Sequence, residues 1–302
     1  MELPTIAAII PTYRREPFCL SVLGQLRAQD HPPTEIIVAD QTPESDYSPD
    51  GLRALAAMER GGAFTRLVLP EPAENRARNE AAEACRSEVL LYVDDDVELP
   101  PEFVRRHLLS YCEAEVAAVT GRVIGPERAA PNALPVGYEQ LPAPDQAHCF
   151  PSGYTGRLER TVRAYGGNFS VRREVLLAAG GWNERLVVHT DLDLGLRLAE
   201  LGHRIAYDPA AWLRHLEAPR GGERSDEPWR PFASRTRAAS SAYFGFRYPA
   251  GRHLARWAIR TAARHTVLKR GNVLRPWRLP AEAASLLWGL ALARQWAGDD
   301  RP

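Results

Sequence analysis

Apolar residues in the first third of the chain follow two alternating patterns. Short continuous runs, such as AAII before Pro11 and IIVA before Asp40, predict buried strands. Between such runs, segments such as CLSVLGQL and GLRALAAMER carry apolar residues at helical spacing and predict helices. Strands that alternate with helices are typical of a parallel sheet covered on both faces. We therefore predict an α/β fold.

The pattern is less regular after Pro101. EFVRRHLLSYCEA predicts a helix and VAAVTGRVIG a strand, and the Pro- and Gly-rich stretch from Glu127 to Tyr165 predicts a long irregular excursion. GGNFSVRREVLLAAGGWNERL then predicts a strand, a helix and a turn. DLDLGLRLAELG predicts an amphipathic helix, and RIAYDPAAWLRHLE a closing pair of strands. From about Trp229 the pattern is helical, basic and aromatic.

Polar residues mark the ends of three predicted strands. Asp40 ends the second strand, and the turn from Pro11 to Tyr13 follows the first. Asp94, Asp95 and Asp96 come directly after the run VLLYV. Ligands of open α/β sheets bind outside the carboxyl ends of the strands. We therefore expect these three strand ends to meet at one crevice.

Three adjacent carboxylates repel one another, and in a dry, unpaired cluster at least one would take up a proton. A hard divalent cation such as Mg²⁺ or Mn²⁺ removes this conflict, because it prefers oxygen ligands. Alternate residues of an extended segment point to the same side. Asp94 and Asp96 would thus face the cation while Asp95 faces away. A solvated acidic turn before the next helix is the alternative.

Charge is balanced overall but unevenly distributed. The 302 residues hold 38 basic and 38 acidic residues, yet the span from Pro228 to Ala281 has no acid. Arginines spaced four apart from Arg252 to Arg264 predict a basic amphipathic helix, which is typical of membrane-surface contact. A helix packed on the rest of the chain, or on a second copy in a homodimer, is the alternative. Without a recognised motif, a nucleic-acid partner is not expected.

Cys19, Cys85, Cys112 and Cys149 form no close pair, which argues against a zinc site or a disulfide framework. The N-terminus shows no basic-then-apolar leader, so we expect no secretion signal. The longest clean apolar run, Ala283 to Ala293, has 11 residues. A membrane-spanning helix needs about 20. We therefore expect a cytoplasmic protein, at most peripheral on the cytoplasmic membrane face.

Six segments between about Ile6 and His215 resemble, in order, the motifs of the GT-A-fold glycosyltransferases, in particular the inverting family 2. They are IIPTYRR, IIVADQ, ARN, YVDDDVELPPEFV, GGNFSVRREVLLAAGGWNERL and TDLDLGLRLAELGHRIAYDPAA. The resemblance implies a Rossmann-like, mostly parallel sheet with helices on both faces, plus a helical C-terminal extension. Residues 1–100 would be the nucleotide-binding half, residues 101–217 the acceptor and catalytic half of the same domain, and residues 218–302 the basic extension.

The resemblance also implies an activity: transfer of a sugar, with inversion, from a nucleotide-diphosphate sugar to an acceptor hydroxyl. Asp191 would be the base that takes the hydroxyl proton. Asp96 and His215 would hold Mg²⁺ or Mn²⁺ at the diphosphate. The nucleotide contacts would be Pro11, Thr12, Tyr13, Asp40, Arg78, Asp94 and Asp95. The donor or acceptor sugar contacts would be Gly166, Gly167, Asn168, Trp182 and Thr190.

Several of these residues have a structural alternative. Asp191 opens a predicted helix, where an acid also stabilises the N-terminus. Trp182 is explained at least as well by core packing. His215 fits an exposed strand end, and Arg78 fits a solvated helix face. Thr190 stands where the family usually has Glu, so an acceptor contact differs here.

The identity of the substrates stays open. Asp40 suits the N–H of uracil or thymine, which favours UDP or dTDP over GDP. The acceptor is a glycan, a lipid-linked molecule or a small molecule. A sugar nucleotidyltransferase would carry a Gly-rich loop after the first strand, where this chain has PTYRREP. A non-catalytic binding module would have lost the aspartates, and a dehydrogenase requires a G-x-G-x-x-G motif.

Overall fold

The computed structural model describes residues 3–125, 154–218, 234–248 and 252–300, together with Gln140, Pro142 and Phe232. Most of the excursion predicted between Glu127 and Tyr165 lies outside these residues, and so does Cys149. The other three cysteines are free thiols. Within the described residues, no helix combines the length and the apolar character needed to cross a membrane.

The helices and strands follow the predicted order. The strands are β1 (Ile6–Thr12), β2 (Glu35–Asp40), β3 (Thr65–Val68), β4 (Val89–Val93), β5 (Val97–Glu98), β6 (Val116–Ile124), β7 (Asn168–Arg172) and β8 (Arg204–His215). The helices are α1 (Glu16–Arg27), α2 (Pro49–Arg60), α3 (Glu74–Ala84), α4 (Phe103–Ser110), α5 (Arg173–Ala178), α6 (Thr190–Glu200), α7 (Arg235–Arg247), α8 (Arg252–His265), α9 (Arg270–Val273) and α10 (Leu279–Asp299). Two short 3₁₀ turns, Glu44–Asp46 and Pro276–Arg278, complete the described elements.

These strands form one sheet in the order β3-β2-β1-β4-β7-β6-β8-β5. The strands β3, β2, β1 and β4 run parallel, β7 is antiparallel to both of its neighbours, and β6 and β8 are again parallel. The predicted closing strand pair is wrong. Residues 204–215 form one strand, β8, which stays paired with β6 because a register shift between Asp208 and Leu213 absorbs its irregular centre.

Both faces of the sheet are buried, which explains why β1 is apolar without alternation. Ile6, Ala8 and Ile10 enter one core with side chains of α1 and α4. Ala7 and Ile9 enter the opposite core with side chains of α3 and α6. Successive strand side chains point to opposite faces, so a sheet with helices on both sides needs apolar residues at every position.

The C-terminal helices share a third core with α6. Leu192 and Leu196 of α6 pack with buried side chains of α7, α8 and α10. The apolar positions Leu254, Ala258 and Ala262 of α8 are all fully buried in this core. The sequence predicted that this helix is amphipathic and left open what its apolar face contacts. In the structure that face packs on protein.

Polar contacts attach these helices to the segment around α6. The backbone N–H of Val187 donates to Oγ of Ser240 in α7 at 3.1 Å. At the other end of α6, Glu200 pairs with Arg247 at 2.7 Å. Arg185 also lies 3.3 Å from Asp299 at the end of α10. The C-terminal extension is therefore fixed to α6 at both ends.

Gly195 allows α6 to approach the chain before β7 at backbone distance. A Cβ at this position would lie only 2.0 Å from the carbonyl oxygen of Val162. Alanine would favour the helix over glycine by about 0.5–1 kcal/mol. The overlap is with a backbone atom, however, so no change of rotamer can relieve it.

We therefore expect Gly195→Ala to lower the free energy of unfolding by about 1–3 kcal/mol, as overpacking of a core does. Gly24 in α1 is a matched control, because a Cβ there meets no atom within 4 Å. Gly24→Ala should raise the free energy of unfolding by about 0.5–1 kcal/mol through helix propensity. Urea unfolding followed by circular dichroism measures both. Equal effects of the two substitutions would contradict the close approach.

Candidate functional site

A cavity of about 130 Å³ opens where the carboxyl ends of β1 and β4 meet. We call it the aspartate cavity. Its lining includes Pro11, Thr12, Tyr13, Arg15, Gln41, Glu74, His215 and all three aspartates that follow β4. The sequence predicts that the three strand ends at Pro11–Tyr13, Asp40 and Asp94–Asp96 meet at one crevice. The first and third line this cavity, and from the end of β2 the lining residue is Gln41 and not Asp40.

Asp94 and Asp96 face His215 across the aspartate cavity. Nε2 of His215 lies 3.5 Å from Oδ2 of Asp94 and 3.3 Å from Oδ1 of Asp96. One potential ligand atom from each residue falls within 4.8 Å of the others. The pairing of β5 with β8 sets this arrangement, because it places His215 opposite Val97. Residues far apart in sequence thus form a compact group of metal-ligand type.

Asp95 points away from this group. Its Oδ2 accepts a hydrogen bond from Oγ1 of Thr12 at 2.7 Å, and its Oδ1 accepts one from Arg15 at 2.9 Å. Burial raises the pKa of Asp95 to about 7, although Arg15 and Thr12 oppose that rise. The sequence assigned Asp95 to nucleotide contact. Each oxygen already accepts a hydrogen bond from a protein donor, and Asp95 still lines the aspartate cavity, so its contact with a nucleotide stays a prediction.

Asp96 offers a test of whether a cation fits. Its side chain is 1% exposed. Oδ2 accepts from the backbone N–H of Ala218 at 2.8 Å, whereas Oδ1 is buried and makes no hydrogen bond within the described part of the chain. A buried acceptor without a donor is costly. Carboxylate oxygens and an imidazole nitrogen suit Mn²⁺ or Mg²⁺, so the group of Asp94, Asp96 and His215 fits a divalent cation.

Positive charge surrounds Asp94. Burial by itself would raise the pKa of Asp94, but His215, Arg78 and Arg15 outweigh it and lower that pKa below its usual value. Arg78 is buried with Nη2 3.9 Å from Asp94, and its guanidinium lies 4.6 Å from the ring centre of Trp182. The solvated helix face that was the alternative for Arg78 is therefore wrong. Asp94 stays ionised.

A second cavity, of about 370 Å³, adjoins the first, and we call it the helix cavity. It shares Glu74, Asp94 and His215 with the aspartate cavity. Thr190 and Asp191, the first two residues of α6, line its other side. Oδ1 of Asp191 accepts a hydrogen bond from the backbone N–H of Leu192 at 2.9 Å. The candidate base and two of the three candidate cation ligands, Asp94 and His215, therefore line the same cavity.

Gly166 and Gly167 also line the helix cavity, and the structure explains why both are glycine. A Cβ on Gly167 would lie 2.1 Å from Oδ2 of Asp94, and one on Gly166 would lie 2.9 Å from Nη2 of Arg78. The backbone before β7 thus passes directly against the charged groups. Any side chain here would displace Asp94 or Arg78.

Two residues assigned to the sugar site lie in the core instead. Asn168 is fully buried, and its amide donates to the carbonyls of Arg122 and Ala211. Trp182 is 1% exposed and packs edge-to-face on Tyr92 with ring centres 5.1 Å apart. Neither side chain offers a surface to a sugar, so both assignments are corrected.

Asp40 lies at the end of β2, as the sequence predicts, but its carboxylate is sealed. It is fully buried and accepts hydrogen bonds from the Thr42 N–H at 2.9 Å and the Tyr47 hydroxyl at 2.6 Å. Arg66 pairs with it at 2.6 Å. Direct contact between Asp40 and a base therefore requires Tyr47 or Arg66 to move.

Sequence reasoning missed two residues that shape the site. Arg15, which immediately precedes α1, lies 2.9 Å from Asp95 and 3.2 Å from Asp96. The arginine pair in PTYRREP was a usable signal for it. His189 precedes α6 with a left-handed backbone (φ 61°), and its ring lies 4.6 Å from that of Trp257 in α8. No local pattern indicates this second contact.

Comparison with known proteins agrees with this geometry. A family model described as Glycosyl transferase family 2 matches residues 7–176. Glucosyl-dolichyl phosphate glucuronosyltransferase from Haloferax volcanii is 24% identical over 227 residues, which cover 70% of this chain and 68% of that protein.

Solved structures show the same fold. The mannosyltransferase PcManGT from Pyrobaculum calidifontis, in complex with GDP-Man and Mn²⁺, aligns with a TM-score of 0.59 and 19% identity over 99% of this chain and 79% of its own. GalNAc-T7 with UDP, GalNAc and Mn²⁺ aligns with a TM-score of 0.58 and 13% identity over 83% of this chain and 52% of its own. S. aureus TarS 1–349 in complex with UDP-GlcNAc aligns with a TM-score of 0.56 and 16% identity over 98% of this chain and 92% of its own.

The family match covers more than half of the chain and includes every lining residue of the aspartate cavity except His215. The structural likeness extends the same fold over nearly the whole chain. The protein therefore belongs to the glycosyl transferase family 2 and is a glycosyltransferase with an α/β GT-A fold.

Proposed function

We propose that this protein moves a sugar from a nucleotide-diphosphate sugar to an acceptor hydroxyl, with a divalent cation at Asp94, Asp96 and His215 and with inversion at the sugar. One observation carries this proposal. The aspartate cavity and the helix cavity share Asp94 and His215, and Asp191 lines the helix cavity. Groups suited to the leaving diphosphate and a group suited to the attacking hydroxyl therefore border the same space.

The leaving diphosphate gains negative charge as the sugar–oxygen bond breaks, and stabilising that charge accelerates the reaction. A bound Mg²⁺ or Mn²⁺ would supply a Lewis acid beside the diphosphate. The chain itself contributes Arg15, which lines the aspartate cavity, and Arg78, which lines the helix cavity. Both arginines keep fixed positive charge near the place where the diphosphate charge develops.

Asp191 is our candidate for the general base. A carboxylate in the helix cavity can accept the proton of an acceptor hydroxyl as that oxygen attacks the sugar. The base lies on α6, whereas the cation ligands lie after β4 and at the end of β8. This placement suits attack by the acceptor hydroxyl on one side of the sugar and departure of the diphosphate on the other. Such a reaction inverts the configuration of the sugar.

The substrates belong to the same proposal. Asp40 at the end of β2 favours uracil or thymine, provided that Tyr47 and Arg66 move from its carboxylate. The glucuronosyltransferase relative is named for a glucosyl-dolichyl phosphate. From that name we infer a lipid-linked acceptor for this chain, which membrane contact by the C-terminal helices would suit.

Removal of one cation ligand should weaken metal-dependent nucleotide binding. We expect Asp96→Asn to reduce Mn²⁺-dependent UDP affinity at least about tenfold, the smallest loss typical of a disturbed metal site. Calorimetry with UDP or GDP, with Mn²⁺ or EDTA, measures the change, and electron paramagnetic resonance measures the binding of Mn²⁺ alone. Asp46→Asn, at an exposed pair with Arg14 outside the cavity, is the control. If the wild type bound the nucleotide equally well in EDTA and in Mn²⁺, the proposed cation site would be refuted.

Asp191→Asn should leave nucleotide-sugar binding nearly unchanged and reduce transfer by about 10²–10⁴-fold, the contribution of general base catalysis. Glu200→Gln at the other end of α6 is the matched control, because it removes an acid that does not line the helix cavity. Single-turnover transfer and donor calorimetry separate the two effects. Near-normal transfer by the Asn variant would remove Asp191 from the mechanism, and a retained anomeric configuration in the product would refute inversion.

A donor panel tests the class of nucleotide. We expect the wild type to release UDP or dTDP from the corresponding sugars faster than it releases GDP from GDP-sugars. Chromatography of the released nucleoside diphosphates reports the preference. A strict preference for GDP-sugars would overturn the inference from Asp40. Formation of a nucleoside triphosphate and a sugar 1-phosphate from the nucleotide-sugar, dependent on added pyrophosphate, would indicate a sugar nucleotidyltransferase.

A further inference from the structure

The helix α10 buries small residues and exposes large apolar ones, the reverse of what is usual for a helix at a protein surface in water. Its small residues Ser285, Gly289 and Ala293 face inward, and a Cβ on Gly289 would lie 2.7 Å from that of Ala238 in α7. Leu287 and Trp288 face outward, whereas Leu286, Leu290 and Trp296 are partly buried against the core. No charged residue occurs from Ala283 to Ala293. Large exposed apolar areas are uncommon on monomers and mark interaction sites.

The exposed apolar surface continues into the turn before α10. We define the apolar ridge as five residues with their exposed fractions: Leu274 (82%), Trp277 (70%), Leu279 (39%), Leu287 (69%) and Trp288 (48%). The buried small residues let the helix pack closely on its own protein. The exposed Leu and Trp side chains remain available to an apolar partner. The ridge therefore calls for an apolar partner.

Basic residues border the ridge. The guanidinium of Arg235 lies 4.5 Å from the ring centre of Trp288, and Arg275, within the ridge segment, is exposed. Glu282 is the one acid between residues 228 and 298, and it is 2% exposed with Oε1 3.4 Å from Nζ of Lys269. The described residues between 234 and 298 therefore present cations and no exposed carboxylate.

The charge of the chain is divided in the same way. Residues 1–227 hold 24 basic and 35 acidic residues, a formal net charge of −11. Residues 228–302 hold 14 basic and 3 acidic residues, a formal net charge of +11. Such a dipole turns the C-terminal helices toward a negatively charged surface and the catalytic body away from it.

We propose that the apolar ridge docks on an anionic phospholipid surface. Tryptophan and leucine enter the boundary between headgroups and acyl chains, while arginine and lysine bind the phosphates. A second copy of the chain suits the ridge less well. A two-fold interface places the same patch on both sides, so Arg235 and Arg275 would face their own copies as like charges.

This assignment differs from the one that the sequence favours. The arginine helix α8 buries Leu254, Ala258 and Ala262 in the protein and exposes one large apolar side chain, Ile259 (60%), whereas the ridge exposes five. Its Arg256, Arg260 and Arg264 are exposed and form no ion pair with the residues that the structure describes. They add attraction to anionic lipid, whereas the ridge supplies insertion. Docking requires no catalysis, so it stands or falls separately from the proposed function.

Vesicle flotation of the full chain tests the ridge. We expect binding to vesicles of phosphatidylcholine mixed with phosphatidylglycerol, weaker binding to phosphatidylcholine alone, and loss of binding as salt rises. The double variant Leu274→Ser, Trp277→Ser should bind at least about tenfold more weakly, because both large side chains leave the membrane. Leu201→Ser, which removes a 57% exposed leucine at the end of α6, is the matched control and should bind like the wild type.

Charge reversal gives the second arm. Arg256→Glu with Arg260→Glu should weaken binding to the mixed vesicles but not to phosphatidylcholine alone, whereas Arg53→Glu on α2 should weaken neither. Thermal unfolding and nucleoside diphosphate release show that each variant is folded. Equal binding of both vesicle types, or full binding by the ridge variant, would overturn the proposal. The proposal would also be overturned if the wild type did not bind vesicles and sedimentation showed a dimer that is lost in the ridge variant.

Discussion

The repulsion among three consecutive carboxylates at the end of β4 is the constraint around which the site is built. The backbone separates them by turning alternate side chains to opposite sides. Asp95 turns to Thr12 and Arg15 on one side, while Asp94 and Asp96 turn to His215 on the other. The guanidinium groups of Arg15 and Arg78 neutralise part of the negative charge of these carboxylates. Among the residues that the structure describes, none forms a hydrogen bond with one buried oxygen of Asp96, which leaves a place that a divalent cation can fill.

The same constraint explains the glycines before β7 and the position of α6. Asp94 occupies the space that a side chain on Gly167 would need, so the chain must pass there as bare backbone. After β7 and α5 the chain reaches α6, and the C-terminal helices pack against α6. Trp257 packs on His189, and burial lowers the pKa of His189 to about 4, so this residue is neutral at pH 7. The C-terminal extension thus fixes the start of the helix that carries Asp191.

Much of the fold could be predicted because burial on both faces leaves a direct trace in β1, β2 and β4. The continuous apolar runs of these strands and the helical spacing between them indicate the α/β class without further information. The closing strand pair was wrong because the polar and proline residues inside β8 look like a turn. Pairing with β6, which no local pattern records, keeps that segment extended.

The sequence by itself determined the α/β class, the acidic strand end with its candidate ligands Asp94 and Asp96, and an acid at the start of α6. These features lie in residue types and short spacings. Tertiary structure alone decided that Trp182 and Asn168 are core, that Tyr47 and Arg66 seal Asp40, and that α10 exposes apolar bulk while α8 buries its own. The physical reason is that exposure and hydrogen-bond partners depend on elements distant in the chain. A residue's chemistry can be read locally, whereas its access to solvent, lipid or substrate cannot.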